Sequence, residues 1–228
     1  MKIDLYDDGR GFVELVDHMG TDLTIVNSAR VSFGKHKEEM DDKDVKLIEY
    51  LVKHKHTSTF EHNMVTFRMK VPLFVRSQHH RHRTWSYNEI SRRYTDFNLE
   101  FYEPDHFRRQ SDSNRQASTS ETFNPVVDEL RDSGAAYAVM SHHRKSFSLY
   151  KKLLKVGVCR EQARGVLPQN TYTEYYGTVN LSNLLKFIDL RTHEGAQWEI
   201  QQLAKGMLKI AESLWPTAIN TYLKTKEN

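Results

Sequence analysis

Hydrophobic positions first alternate with polar ones and later recur at helical spacing. Phe12–Asp17 reads as a strand, and Leu23–Asn27 as its hairpin partner across the turn residues Met19-Gly20-Thr21-Asp22. Ala29–Phe33 reads as a further strand closed by Gly34. Over Asp41–Lys55 the spacing becomes helical, with Val45, Ile48, Leu51 and Val52 on one face. Acidic residues open that segment and Lys53 and Lys55 close it, as the helix dipole favours. In Phe60–Val71 the apolar Val65, Phe67, Met69 and Val71 alternate with Thr66, Arg68 and Lys70, which predicts a half-buried strand. Pro72 suits the first position of a helix over Leu73–His80. Trp85–Tyr94 follows no single period, and Asn98–Tyr102 reads as a short strand ended by Pro104. Asp105–Thr122 is rich in arginine and serine and reads as a long polar loop.

From Pro125 the pattern turns helical. Val126, Val127, Leu130, Ala135, Ala138 and Val139 predict one long helix running on through Leu149, Leu153 and Leu154, with an interruption near Gly134. Cys159–Leu167 is a second helical piece stopped by Pro168, and Val179, Leu184, Leu185 and Ile188 mark a third. The last is the clearest: Trp198, Ile200, Leu203, Ala204, Met207, Ile210, Ala211 and Leu214 form a wide apolar stripe ending before Pro216. Strands mostly early and helices mostly late predict an α+β fold, with residues 1–228 as one domain.

Composition narrows the function. The 228 residues carry 33 Lys and Arg against 30 Asp and Glu, a net +3 that excludes a polybasic tail protein. The lone Cys159 excludes an internal disulfide and a multi-cysteine metal site; within its helical stretch it reads as a small buried residue. No apolar run reaches the ~20 residues of a bilayer span and the start lacks a signal-peptide core, so a cytoplasmic protein with no membrane partner is expected. Neither GxGxxG nor a Walker A sequence is present, which argues against a Rossmann site and a P-loop.

The densest chemistry lies between Val75 and Tyr94. Arg76, Arg81, Arg83, Arg92 and Arg93 are opposed by Glu89 alone, and His79, His80 and His82 add three rings that titrate near neutrality. Arginine forks suit phosphate, and Trp85, Tyr87 and Tyr94 suit a heteroaromatic ring, so a nucleotide or a flavin is one ligand class. A solvated basic face, an RNA-binding surface and, more weakly, a zinc site are the others.

The stretch Arg81-His82-Arg83-Thr84-Trp85-Ser86-Tyr87-Asn88-Glu89-Ile90-Ser91-Arg92-Arg93 matches RHRxxSxNExSxR at each of its eight fixed positions. In this, and in His54–His62, Ala29–Ser32, Arg109–Gln116, Gly157–Pro168 and Leu190–Gln201, the chain resembles the flavin-dependent thymidylate synthases. The resemblance implies a compact α+β fold peculiar to that family and methylation of dUMP to dTMP. It implies FAD as cofactor, 5,10-methylenetetrahydrofolate and NADPH as co-substrates, and homotetramers with shared active sites, with no nucleic-acid partner. Ser91 and Cys159 are then not nucleophiles.

By the same resemblance, Arg191 stabilises charge on the uracil ring. Gln78, Glu89, Ser91, Arg92, Arg93 and Arg164 join it around dUMP. His56, Ser58, Gln78, Arg81, His82, Arg83, Asn88, Glu89, Asn180 and Lys186 hold FAD, a helix cap being the other reading of Asn180. No metal is implied. The chain departs from the pattern at Thr59, where proline is common, at Lys186, where asparagine is common, and at Gly195, where many members carry histidine. Thr59 in place of proline predicts a looser turn before Phe60. These departures also leave room for a relative that stops at hydroxymethyl-dUMP. The polar loop 105–122 is expected to order on ligand binding.

Overall fold

The structure is a computed structural model and describes residues 1–128 and 133–227. Along the chain run β1 (Lys2–Asp4), β2 (Phe12–Met19), α1 (Asp22–Arg30), α2 (Asp42–Lys53), β3 (Met64–Pro72), α3 (Leu73–His79), β4 (Ser86–Glu89), β5 (Phe107–Gln110), β6 (Ser118–Phe123), β7 (Val126–Asp128) and β8 (Ser133–Gly134). There follow α4 (Ala135–Lys155), α5 (Arg160–Ala163), β9 (Tyr172–Asn180), α6 (Leu181–Thr192), α7 (Trp198–Leu214) and α8 (Pro216–Glu227). The main sheet is antiparallel throughout, in the order β1-β2-β3-β9-β4. The fold is α+β, as its segregated elements predict.

β3 is central, and its alternation is the one read from the sequence: Val65, Phe67, Met69 and Val71 are buried. Its partner β9 buries Thr173, Tyr175, Gly177 and Val179 on the face they share with Val71, Met69, Phe67 and Val65, and Tyr172 on the opposite face. Gly177 is required by close packing. A Cβ there would lie 2.8 Å from Met69 Cε and 3.2 Å from the Trp85 ring. α6 and α7 share this core through Leu184, Phe187, Leu203, Met207 and Ile210. Each fully buried side chain of this size stabilises by about 1.5–3 kcal/mol relative to exposure.

Several elements differ from the expectation. Leu23–Asn27 and Ala29–Phe33 are not strands but α1 and the 3-10 turn that follows it. The Thr21 amide bonds to Thr24 Oγ1 at 3.0 Å, a capping contact that starts a helix, and Ile25 and Val26 are buried from it. Buried Asp22 accepts the amides of Thr217 and Ala218 at 2.9 and 3.0 Å, so it also caps α8. Asn98–Tyr102 contributes one isolated bridge, Phe101 to Thr171. Val179 belongs to β9 rather than to the third helix.

The polar loop 105–122 is largely the β5–β6 hairpin. Val126 and Val127 lie in β7, Leu130 lies outside the described residues, and the long helix starts at Ala135, after Gly134. Cys159 is exposed rather than buried, because it precedes the short α5 on the surface. Among the described residues no helix is long and apolar enough to cross a membrane, and no cluster of metal-binding side chains occurs.

Candidate active site

Pro72 ends β3 and sends α3 across the sheet. Two faces of α3 and the segment after it then carry most of the predicted site residues. On one face, Arg76 joins Glu89, Ser91, Arg92, Glu161, Arg164 and Tyr172 around a cavity of about 550 Å³. Glu89 is fixed there: its Oε1 accepts from Arg76 Nε at 3.1 Å and from Thr173 Oγ1 at 2.6 Å. Arg92 is half-buried and turned to backbone, donating to the Phe97 carbonyl at 2.7 Å. It shapes the cavity wall by holding that segment. Arg93 stands at the rim, 3.5 Å from Glu161, with both side chains more than half exposed. Arg164 is exposed and has no side-chain hydrogen bond or ion pair among the described residues. Its five donors are therefore free for an anion such as a phosphate.

The other face holds Arg191, from the last turn of α6. Arg191 Nε donates to His82 Nε2 at 3.1 Å, and its Nη2 to the Gln78 carbonyl at 3.4 Å. A ring nitrogen that accepts is unprotonated, so His82 is neutral and carries its proton on Nδ1. Burial, and then the neighbouring Arg191 guanidinium, push the His82 pKa down to about 4. The expectation that the three histidines titrate near neutrality is thereby corrected. His79 is fully buried, bonded to the Tyr175 hydroxyl at 2.8 Å, and held well below its ordinary value by burial and then by the positive neighbours His82, His80 and Arg191. His80 stacks on Tyr87 at 4.1 Å and is also lowered, by burial first and then by Arg76. Arg191 is itself lowered by burial and then by Arg81.

The predicted flavin residues do not share one pocket: Glu89 lines the cavity beside Arg76, and Gln78 and His82 lie beside Arg191. His56 and Lys186 line a groove of about 280 Å³ with the apolar Leu51, Val52, Phe60 and Leu185. Ser58 is exposed in the turn Thr57–Phe60. That turn is not loose: Thr59 is buried and its hydroxyl donates to the His56 carbonyl at 3.0 Å, doing the work expected of proline. Arg81 and Arg83 are exposed, with no ion pair among the described residues, and Asn88 is exposed on β4. Asn180 caps α6, its Oδ1 accepting the Asn183 amide at 2.9 Å, so its NH2 is what remains to offer a ligand. At the departure near Gly195, His193 Nδ1 accepts the Gly195 amide at 3.0 Å. The unpaired guanidiniums of Arg81 and Arg83 suit a pyrophosphate, and the apolar groove suits part of an aromatic ring system. The groove alone is too small to enclose a dinucleotide.

Thr173, Gln197 and Glu199, beside these sites, carry no role in the sequence reading, and Arg76 appears there only as one of the basic cluster. Gln197 and Glu199 lie in the quoted block Ala196-Gln197-Trp198-Glu199, where a buried Glu on an otherwise apolar helix face was the available signal. Arg76 and Thr173 needed the β3–β9 pairing to be known first.

Comparison with known proteins follows this geometry. Residues 14–217 match the family model described as thymidylate synthase complementing protein. The flavin-dependent thymidylate synthase of Thermosipho melanesiensis is 43% identical over 216 residues, covering 94% of this chain and 91% of that protein. That of Thermus thermophilus is 44% identical over 209 residues, covering 92% of this chain and 74% of that protein. Among solved structures, the UMP/dUMP methylase PolB from Streptomyces cacaoi, bound with 5-Br dUMP, aligns with a TM-score of 0.81 at 33% identity, covering 93% of this chain and 94% of that one.

Proposed function

The chain belongs to the flavin-dependent thymidylate synthase family, and from that premise we propose that it converts dUMP to dTMP. The one-carbon unit comes from 5,10-methylenetetrahydrofolate and the reducing electrons from NADPH by way of FAD. The observation that carries the reading is the cavity around Glu89, Ser91 and Arg164, where a free guanidinium faces fixed polar groups. A nucleoside monophosphate needs that combination: a fork for the phosphate and a carboxylate acceptor for a sugar hydroxyl. The solved neighbour bound with a 5-bromo dUMP supports a pyrimidine nucleotide.

Uracil C5 is a weak nucleophile. Charge that develops on the ring oxygen and nitrogen as C5 attacks the methylene carbon is met by a guanidinium already oriented, which lowers the barrier without a covalent adduct. We assign this role to Arg191, and its hydrogen bonds to His82 and the Gln78 carbonyl, which hold the guanidinium in one orientation, support it. Arg164 and Arg93 hold the phosphate, Ser91 adds a hydroxyl, and Glu89 receives the sugar. Arg92 supports this wall through the Phe97 carbonyl. Bound FAD supplies a hydride for the transferred carbon. Arg81, Arg83, His56, Ser58, Asn88, Asn180 and Lys186 hold it by charge and hydrogen bonds.

Arg191 does not line the cavity that Arg164 lines, and the flavin groove holds only part of a dinucleotide. Sites completed by a second subunit account for both facts, so a homotetramer with shared active sites is part of the proposal. The chain acts as one domain, in the cytoplasm.

The test is anaerobic turnover. Purified protein given FAD, dUMP, methylenetetrahydrofolate and NADPH should bleach its flavin absorption, recover it, and yield dTMP. Parallel reactions with UMP and analysis for hydroxymethyl-dUMP separate the ribonucleotide and truncated reactions. A protein that takes up no FAD overturns the reading.

A further inference from the structure

Beside Arg191 runs a line of hydrogen bonds whose direction is fixed at one end. Glu199, the second residue of α7, is 4% exposed. Its carboxylate accepts from Arg108 Nη2 at 2.8 and 3.0 Å, from the Tyr102 hydroxyl at 3.3 Å, and from Gln197 Nε2 at 2.9 Å. A carboxylate ion-paired to arginine offers acceptors only. Gln197 must therefore turn its NH2 toward Glu199 and its carbonyl oxygen away. That oxygen meets Gln78, which must donate through Nε2. The orientation of an amide is ordinarily ambiguous, because its two ends look alike. Here the charge at Glu199 removes the ambiguity twice in succession. The Gln78 side chain then has Oε1 as its one acceptor left to offer, beside the second N–H of Nε2, on the residue whose carbonyl also receives Arg191.

We propose that Glu199, acting through Gln197, is a positioning residue that presents Gln78 Oε1 to the imide N–H of the uracil ring. This rests on the dUMP reading given above. The relay makes the site selective between pyrimidines. Uracil N3 carries a proton and satisfies the acceptor, whereas cytosine N3 is itself an acceptor and meets Gln78 Oε1 with repulsion. Arg108 belongs to β5, so the hairpin read from sequence as a polar loop supports the relay by pairing with and holding Glu199.

Reversing the relay tests it. Titration calorimetry of the FAD-loaded protein with dUMP and dCMP gives the affinities. Gln78→Glu sets acceptor against acceptor at Gln197 and should weaken dUMP binding at least tenfold. Adding Glu199→Gln lets Gln197 rotate, giving its NH2 to residue 78, and should recover most of that loss. Rescue of one substitution by another two hydrogen bonds away is not expected of a merely structural Glu199. Gln197→Met keeps the Arg108–Glu199 pair intact and guards against a double variant that fails to fold. It frees the Gln78 amide to flip and should narrow the dUMP-over-dCMP preference about tenfold. A folded double variant no tighter than Gln78→Glu, or an unchanged preference in Gln197→Met, overturns the relay. A wild-type protein that binds no dUMP overturns the functional reading itself, and the relay with it.

Discussion

Replacing Arg164 by alanine isolates the phosphate contact. The side chain is exposed on the cavity wall and makes no hydrogen bond or ion pair among the described residues, so its removal leaves no buried partner orphaned. Stability should change by no more than ~0.5 kcal/mol, the usual range for such a surface position. Binding is another matter. A guanidinium fork on a phosphate forms two charge-assisted hydrogen bonds, each contributing about 1.5–3 kcal/mol when well formed. The open rim screens them, and halving the lower sum and rounding up leaves about 2 kcal/mol. That is a ~30-fold weaker dUMP affinity. The assay is calorimetric titration of wild type and Arg164→Ala with dUMP and with deoxyuridine, which lacks the phosphate. The loss should appear with dUMP, shrink in high salt, and be nearly absent with deoxyuridine. Equal losses with both ligands would show that Arg164 shapes the cavity instead, and no loss with dUMP would remove it from the site.

Four further outcomes follow from other contacts. His82→Gln keeps an acceptor for Arg191 and His82→Ala does not, so alanine should lower kcat about tenfold relative to glutamine while the KM for dUMP moves less. Because His82 is held down at about 4 while the unfolded chain titrates near 6.5, the unfolded state binds the extra proton between those values. Stability from this group is therefore full above ~6.5 and falls as pH drops toward 4, a slope that His82→Gln should flatten in urea melts at stepped pH. Asp44 is fully buried against Arg30 and Lys37 and accepts the Asp41 amide at 3.0 Å. Burial alone would raise its pKa, but Lys37, the Asp41 amide and Arg30 outweigh it and hold the carboxyl well below the usual range. Its stabilisation is thus present above the ordinary carboxylate pKa and lost only in strong acid, and Asp44→Ala should cost about 3 kcal/mol in urea unfolding. Gly20 has φ +85° and a Cβ there would lie 2.2 Å from Asn63 Oδ1, so Gly20→Ala should destabilise by about 1–3 kcal/mol, read as a lower Tm.

What the sequence made legible depended on whether one period ruled a whole segment. β3 alternates cleanly over Val65–Val71 and α7 keeps its stripe from Ile200 to Ala211, and both stand as read. β9 did not announce itself. Its residues favour strands, but apolar side chains stand on both faces, with Tyr176 exposed beside buried Tyr175, so no alternation shows, and Gly177 interrupts it for a packing reason visible only with Met69 and Trp85 in place. α1 departs from the hairpin expectation because Met19-Gly20-Thr21-Asp22, which suits a turn, instead opens a helix through the capping contact between Thr21 and Thr24. The candidate site residues came from the signature between Arg81 and Arg93, not from periodicity. Their grouping could not be read there, since adjacent residues such as Arg92 and Arg93 end in different surroundings, one turned to the Phe97 carbonyl and one on the rim.

The position of α3 explains why the two halves of the proposed chemistry fall on separate surfaces. β3 is flanked on both sides by strands, so its chain can leave only at Pro72, and the helix that follows must pass over β9. Residues three apart on a helix share a face, while those two apart do not. Arg76 therefore looks toward Glu89 and the nucleotide cavity, and Gln78 looks toward Gln197 and Arg191. Buried His79 between them, bonded to Tyr175 of β9, locks the rotation of the helix about its axis. A rotation that brought Gln78 to the cavity would expose His79 and break the Glu89–Arg76 pair. The chain thus trades a single enclosed pocket for two rigid half-sites, and rigidity is what a guanidinium needs to stabilise charge without reorganising. In the proposed tetramer a second copy brings an Arg191 face to an Arg164 cavity. Mixing Arg164→Ala with Arg191→Ala protein, after subunit exchange and at a dUMP concentration low enough that Arg164→Ala turns over slowly, should restore part of the turnover, and a mixture no faster than the average of its components would place both residues in one subunit's site.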